Sequence, residues 1–317
     1  MNIFGICIES SHQKGMGHLY RALNLVELMK SRGDKYIIFM NNDRDSTAVL
    51  EEKEIMFEIA GLDDLTSDWE TKFINKYKIN VWINDRLDTQ IEHSRNIKKS
   101  KAKLISLDDR GSGAGMADIN FGSLPFNFSY ALQGKKVLKG LKYLILNKEI
   151  DKFKRDRSRV ERILITLGGS DTYAVTVKIV EILKKRNIRA KIILGPCFAH
   201  WDELQKVITE EYPVVKNVPS LIKEFYEYDL AITGGGITPF EANASGLPCI
   251  IVANEPFESD NGLFLDKIGS SVFAGSCKDI NEDIFAKKLD ILSMSKKGME
   301  NIRTDGVEYI CKEISLL

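Results

Sequence analysis

One histidine of this sequence stands where a catalytic base would be expected. His18 follows Gly15 and Gly17 in the segment KGMGHLYR, directly after the apolar run Ile3–Glu9 and at the start of a predicted helix. Paired glycines permit tight turns and the close approach of a ligand. An imidazole with an ordinary pKa of about 6.5 can take a proton from a weak nucleophile near neutral pH. The alternative is a capping or solvent-facing histidine on an ordinary strand–helix loop.

A second loop has residues suited to binding an anion. Gly168, Gly169, Ser170 and Asp171 form the segment GGSD directly after a predicted strand. Backbone N–H groups of such a turn, together with a serine hydroxyl, can bind a phosphate. The alternative is a tight turn in which Asp171 or Thr172 caps the next helix.

The third loop, GGGITPFEANASGLP, is the most specific of the three. Its glycines allow backbone N–H groups to face a phosphate, and Thr238 followed by Pro239 is expected to cap and open a short helix. Glu241 lies one turn into that helix, where its carboxylate can hold ribose hydroxyls. No GK[ST] follows the glycines, so a P-loop is excluded, and Tyr20 stands where a dinucleotide fingerprint needs its third glycine.

Short apolar strands alternate with amphipathic helices along the chain, which predicts an α/β protein with parallel, doubly wound sheets. The length of 317 residues favours two domains of about 150 residues each. The charged segment Lys148–Arg162 interrupts the alternation between domains 1–155 and 156–317 and is interpreted as a domain linker or as a surface helix that leads into a domain. The stretch Asp279–Ile314 is predicted to be helical with a break near Gly298, and the last helix can pack back on the first domain.

Composition narrows the classes of partner and cofactor. Lys+Arg and Asp+Glu are equal at 45 each, which argues against a nucleic-acid partner. The 5 cysteines have no CxxC or Cys/His spacing, so neither zinc nor a disulfide framework is expected. No Asp-x-Asp signature stands out, and a metal-independent reaction with no cofactor is expected. Neither a signal peptide nor a membrane span is predicted, so the cytoplasm is the expected location. The oligomeric state stays open.

The segments GMGHLYR, LGGSD and GGGITPFEANASGLP together resemble the bacterial nucleotide-sugar hydrolase of pseudaminic acid synthesis and the related spore-coat polysaccharide proteins. The second half also looks like the nucleotide domain of the lipid II N-acetylglucosaminyltransferase. The resemblance covers nearly the whole chain. It implies a GT-B fold, in which two Rossmann-like domains flank a cleft and the C-terminal domain binds the donor nucleotide.

The resemblance also implies roles for individual residues. His18 matches the histidine that activates or positions the attacking water, and Glu241 matches the ribose-binding acid. The remaining residues expected at the nucleotide-sugar site are Gly15, Gly17, Arg21, Asp85, Gly168, Gly169, Ser170, Asp171, Gly235, Gly236, Ile237, Thr238 and Asn261.

One segment departs from the hydrolase pattern. The sequence INDRLDT, which includes Asp85, stands where the hydrolase carries an Asp-His-Tyr-Gly type sequence. It looks more like the spore-coat branch. Asp85 and the pair Asp108 and Asp109 end predicted strands, and they are interpreted either as helix caps and surface acids or as residues that hold the sugar.

The expected reaction is hydrolysis of a UDP-linked amino-deoxysugar, with inversion at the anomeric carbon, that supplies nonulosonic-acid or surface-polysaccharide synthesis. The main alternative is an inverting glycosyltransferase with the same donor site and a hydroxyl acceptor. A non-catalytic nucleotide-sugar-binding module is a rival from another class, although it would leave His18 without a role. A phosphate-binding dehydrogenase is a remote third.

Overall fold

The computed structural model describes residues 2–10, 16–169, 171–216 and 218–317. The chain forms two compact units. The first unit consists of residues 1–146 and 305–317, and the second of residues 147–304. Among the described residues, no helix is both long enough and apolar enough to cross a membrane.

Fourteen strands are found among the described residues. In chain order they are β1 (Ile3–Ile8), β2 (Lys35–Met40), β3 (Phe57–Ile59), β4 (Val81–Asp85), β5 (Lys103–Leu107), β6 (Ile119–Gly122), β7 (Lys136–Lys139), β8 (Ile163–Thr166), β9 (Lys191–Leu194), β10 (Val214–Lys216), β11 (Leu230–Thr233), β12 (Cys249–Ala253), β13 (Ser271–Ser276) and β14 (Asp279–Ile280).

The same part of the chain contains eleven α-helices. They are α1 (Gly17–Ser31), α2 (Arg44–Glu52), α3 (Trp69–Tyr77), α4 (Ile91–Lys98), α5 (Val175–Lys184), α6 (Trp201–Val207), α7 (Leu221–Phe225), α8 (Thr238–Ala244), α9 (Glu258–Lys267), α10 (Ile291–Asn301) and α11 (Gly306–Ser315). Short 3-10 helices cover Ala114–Met116, Pro125–Asn127, Leu141–Tyr143, Lys148–Phe153 and Glu282–Ala286.

The first unit contains a seven-stranded parallel sheet in the order β3-β2-β1-β4-β5-β6-β7. Successive residues of β1 serve both faces: Ile6 and Ile8 join the core under α1, and Cys7 joins the core on the other side with Phe39 and Trp82. Burial on both faces explains the nearly continuous apolar strands. The strand order reverses between β1 and β4, and open α/β sheets bind ligands at the carboxyl ends of such strands.

The second unit repeats this arrangement with the order β10-β9-β8-β11-β12-β13-β14. Its strands are parallel except for β14, which pairs antiparallel with β13 at the edge. Here the order reverses between β8 and β11, where Thr166 lies beside Thr233. The two glycine loops predicted from the sequence therefore follow the carboxyl ends of two adjacent strands.

The predicted helical stretch 279–314 is wrong in two respects. It begins with β14 and a 3-10 helix, and its break lies at 302–305, between α10 and α11. Gly298 lies inside α10, where a Cβ would come within 2.6 Å of the Asn243 carbonyl oxygen. This glycine allows α10 to lie against α8. Beyond the break, α11 packs against α1 in the first unit.

The charged segment 148–162 is anchored by one buried arginine. Arg157 is 1% exposed and donates hydrogen bonds to backbone carbonyls, those of Phe225, Tyr228 and Ser245 among them. Burial lowers the pKa of its guanidinium to about 9, with the charge of Arg155 acting in the same direction. This segment therefore belongs to the packed second unit, although its composition suggests a linker or a surface helix.

Candidate functional site

A cluster of four ionisable side chains lies at the carboxyl edge of the sheet in the first unit. We call His18, Arg21, Asp85 and Asp108 the His18 cluster. Helix α1 begins at Gly17, so His18 lies in its first turn and Arg21 one turn later on the same face. Asp85 is the last residue of β4 and pairs in register with Ile8 at the end of β1. The reversal of strand order thus places the start of α1 beside Asp85.

His18 is held through one ring nitrogen. Its Nδ1 lies 2.6 Å from Asp85 Oδ1. The His18 side chain is 18% exposed, and the Asp85 side chain is fully buried. Among the described residues, Nε2 of His18 has no hydrogen-bond partner. The imidazole therefore turns one nitrogen to a carboxylate and leaves the other for a ligand.

Arg21 joins the two buried carboxylates of the cluster. Its Nε donates to Asp85 Oδ2 at 2.7 Å, and its Nη2 donates to Asp85 Oδ1. Its Nη1 donates to Asp108 Oδ2 at 2.7 Å. A guanidinium that bonds one carboxylate through two N–H groups fixes that carboxylate in position as well as in charge.

Asp108 anchors the cluster from behind. Its backbone is left-handed, with a φ of 53°. Its carboxylate accepts hydrogen bonds from the N–H and Oγ of Ser123, both at 2.7 Å, and from Asn127 Nδ2 at 2.8 Å. Sequence reasoning offered a helix cap or a sugar contact for Asp108. The structure instead gives it the role of a buried acceptor that positions Arg21.

The electrostatics of the cluster keep Asp85 ionised. Burial alone would raise the pKa of this carboxyl, but the charge of Arg21, the charge of His18 and their hydrogen bonds outweigh it and lower the pKa. For Arg21, the two carboxylates outweigh the opposing effect of burial and raise its pKa. An ionised Asp85 can only accept from Nδ1, so Nδ1 of His18 carries a proton whether the imidazole is charged or neutral. In the neutral imidazole the lone pair of Nε2 is available as a base.

The second candidate site is a turn in the second unit, where β11 runs into Gly234, Gly235 and Gly236. The N–H groups of Gly236, Ile237 and Thr238 donate to no acceptor among the described residues. We call these three residues together with Gly235 the glycine loop. Helix α8 begins at Thr238 itself, with Ile237 before it and no side-chain cap. The expectation that Thr238 caps the helix is therefore wrong, and the N–H groups are left for another acceptor.

The loop that follows β8 lies beside it. Gly168 has a φ of 82°, a left-handed conformation that favours glycine. Asp171 is 3% exposed, and its carboxylate accepts from the N–H groups of Val175 and Thr176 at 2.7 and 2.9 Å. This carboxylate therefore caps α5, as in the structural alternative. Two predicted site residues, Gly15 and Ser170, lie outside the described residues.

Glu241 lies on α8 one turn beyond the glycine loop. Its side chain is partly exposed, and desolvation raises its pKa to about 7. Among the described residues its carboxylate has no ion-pair partner. A carboxylate of this kind gains most from hydroxyl donors that a ligand brings.

Helix α9 holds the glycine loop through both the N–H and the carbonyl of Gly235. Asn261 is fully buried, and its Nδ2 donates to the Gly235 carbonyl at 2.9 Å. Glu258 accepts from the Gly235 N–H at 3.1 Å and from the Asn254 N–H at 2.7 Å, both through Oε2. Asn261 therefore positions the loop. Glu258 was missed in the sequence, although it precedes Asn261 by one helical turn and shares its face.

Two curated relatives match the chain over most of its length. The protein MJ1062 of Methanocaldococcus jannaschii, itself uncharacterized, is 32% identical over 333 aligned positions, which cover 98% of this chain and 67% of that protein. The spore coat polysaccharide biosynthesis protein SpsG of Bacillus subtilis is 24% identical over 290 positions, which cover 83% and 82% of the two chains. No protein-family model matches the sequence.

Solved structures share the fold. MurG from Acinetobacter baumannii has a TM-score of 0.73 at 13% identity, with 99% of each chain covered. The spinosyn rhamnosyltransferase SpnG, complexed with thymidine diphosphate, has 0.65 at 11% identity, covering 99% of this chain and 100% of that one. Anabaena HepE, in complex with UDP and glucose, has 0.65 at 10% identity, covering 98% and 99%. The predicted fold class, two Rossmann-like domains of the GT-B type, is confirmed.

Proposed function

This chain belongs to the same family as the Methanocaldococcus jannaschii protein MJ1062, and we propose that it is an enzyme that cleaves the bond between the sugar and the diphosphate of a nucleotide-sugar. The observation that carries the proposal is that Nε2 of His18 has no hydrogen-bond partner in the part of the chain that the structure describes, while Nδ1 lies 2.6 Å from Asp85 Oδ1. A base oriented by a buried carboxylate is the arrangement that proton abstraction from a hydroxyl or a water requires.

In the proposed reaction a water is the nucleophile and His18 is the base. The oxygen of a water attacks the anomeric carbon while its proton passes to Nε2 of His18. The bond between that carbon and the diphosphate oxygen breaks, and its electron pair leaves with the nucleoside diphosphate. Attack from the face opposite the diphosphate inverts the configuration. Asp85 stabilises the imidazolium that forms, and Arg21 with Asp108 keeps Asp85 in place.

The proposal assigns the nucleotide to the second unit. The N–H groups of Gly236, Ile237 and Thr238, which meet no acceptor within the described ranges, suit a diphosphate, and the carboxylate of Glu241 suits ribose hydroxyls. Support also comes from proteins of the same fold, since SpnG binds thymidine diphosphate and HepE binds UDP. We assign UDP as the nucleotide and an amino-deoxysugar as the sugar on the resemblance of GMGHLYR to the hydrolase.

A hydroxyl acceptor in place of water is the second candidate. It is favoured by the relation to SpsG, which is named for spore coat polysaccharide biosynthesis, and by the fold shared with the rhamnosyltransferase SpnG. The same base would then deprotonate a sugar hydroxyl, and the product would be a glycoside.

Product analysis separates the two candidates. A panel of UDP-linked amino-deoxysugars is incubated with the protein and followed by NMR from the first turnover, with and without a chelator. The hydrolase reaction gives UDP and free sugar of inverted anomeric configuration when no acceptor is added. If sugar is transferred only onto an added hydroxyl acceptor, the hydrolase proposal is wrong and the transferase candidate takes its place.

A further inference from the structure

The glycine loop already has a carboxylate of the chain itself beside it. Glu258 Oε2 accepts from the Gly235 N–H at 3.1 Å, and a Cβ placed on Gly236 would lie 3.4 Å from Glu258 Oε1. Both carboxylate oxygens therefore lie against the loop to which the proposed function assigns the diphosphate. We propose that Glu258 competes with the donor's diphosphate for this loop and so weakens the binding of nucleoside diphosphates.

The contact is built into the backbone rather than made by a loose side chain. A Cβ on Gly235 would lie 2.6 Å from the Glu258 carbonyl oxygen and 2.7 Å from the Glu258 Cβ. Glycine at this position therefore allows the loop and the start of α9 to touch. The Asn254 N–H, at 2.7 Å, holds the same Oε2 from the end of β12. Two backbone donors on one anionic oxygen reproduce the way such turns bind a phosphate oxygen.

The carboxylate of Glu258 is held by backbone donors. Burial raises the pKa of Glu258, and the hydrogen bonds from Asn254 and Gly235 oppose that rise. No lysine or arginine pairs with Glu258 among the described residues. A diphosphate on the N–H groups of Gly236, Ile237 and Thr238 would therefore meet a like charge that is not paired with a basic side chain of the described residues.

The competition has a consequence for turnover. When the sugar leaves, the nucleoside diphosphate keeps its charge, and the carboxylate that it displaced can return to the Gly235 N–H. Glu258 would thus favour release of the product over its retention. A nucleoside without phosphates does not reach the loop, so its binding should not depend on Glu258.

Calorimetric titration of the full chain with UDP and with uridine tests this inference, which rests on the proposed function. Glu258→Gln keeps an acceptor for the Gly235 N–H and removes the charge, while Glu255→Gln removes a charge from the same segment as a matched control. We expect Glu258→Gln to bind UDP at least about fivefold tighter than the wild type. Uridine affinity should stay within about twofold in both variants, and so should UDP affinity in Glu255→Gln.

A failure of the proposed competition and a failure of the proposed nucleotide site would give different results. Equal or weaker UDP binding by Glu258→Gln, with a native circular dichroism spectrum, would overturn the competition and leave Glu258 as a support of the loop. Glu258→Ala, which removes the hydrogen bond as well as the charge, should also bind UDP more tightly than the wild type. Absence of UDP and uridine binding in the wild type would instead refute the proposed nucleotide site itself.

Discussion

The two units place their candidate sites at the same point of the same topology and equip them differently. In the first unit four ionisable side chains lie near the reversal between β1 and β4, and Asp85 and Asp108 among them are fully buried. In the second unit the backbone N–H groups of Gly236, Ile237 and Thr238 lie near the reversal between β8 and β11. Side chains in a buried network can move and hold a proton, whereas backbone donors offer a fixed positive field. The same topology thus presents ionisable side chains in one unit and backbone donors in the other, because different residues follow the equivalent strand ends.

The largest effect is expected at His18. His18→Asn should lower turnover by about 10²- to 10⁴-fold, the range that a positioned base contributes. UDP affinity should stay within about twofold, because the nucleotide is assigned to the second unit. Rates and calorimetric UDP titrations on both proteins measure this. His200→Asn is a control that removes a histidine from the second unit, and near-normal turnover in His18→Asn would end the assignment of a base.

Asp85→Asn tests whether the buried charge orients that base. The amide can donate to Nδ1 and thereby reverse the tautomer, so we expect turnover to fall by about 10²- to 10⁴-fold. The variant also leaves Arg21 with one carboxylate, and we expect the free energy of unfolding to fall by about 3 kcal/mol. Urea unfolding and steady-state rates give the two values. Unchanged turnover in a less stable protein would make Asp85 structural only.

The same variant has a pH signature. Because the pKa of Asp85 is lowered in the folded protein, the ion pair contributes its full stability above the unfolded value of about 3.9, and that stability is lost as the pH falls through the folded value. Wild-type stability should therefore drop steeply below about pH 4. In Asp85→Asn the acid limb of the stability curve should be flatter, and identical curves would contradict the lowered pKa.

Glu241 is expected to give a smaller effect, confined to binding. Glu241→Ala should weaken UDP by about tenfold through the loss of ribose hydrogen bonds, with a native circular dichroism spectrum. Glu241→Gln, which keeps one acceptor, should lie between the wild type and the alanine variant. Unchanged UDP affinity in Glu241→Ala would leave Glu241 as a surface acid.

The raised pKa of Glu241, about 7, predicts a change in the pH dependence of stability. Between the unfolded value of about 4.3 and pH 7 the folded protein holds a proton that the unfolded chain has lost, so stability falls as the pH rises and levels off above about 7. In Glu241→Gln that slope should be shallower. Chemical unfolding at intervals from pH 4.5 to 8 measures the slope, and equal slopes in the two proteins would contradict the raised pKa.

The sequence was sufficient for the fold class, and it predicted that the candidate loops follow strand ends. Strand–helix alternation indicates parallel sheets, and a glycine turn after a strand falls at the ligand-binding edge. The partners of Arg21 could be identified only from the strand order, because the ends of β4 and β5 come close to Arg21 only in the folded sheet. Asp108 has a left-handed backbone conformation, which no local sequence pattern predicts. Gly298 looked like a helix break because its reason, close contact with Asn243, lies outside its own segment.

The division of the chain sets an order of assembly during synthesis. The second unit is one continuous stretch, 147–304, whereas the first unit also requires residues 305–317. Val307, Ile310 and Ile314 of α11 belong to the first unit's core. On a ribosome the second unit therefore has its whole sequence available earlier, while the first waits with an apolar surface uncovered, although its translation started first. Nascent chains halted just short of α11 should accordingly depend most on chaperones.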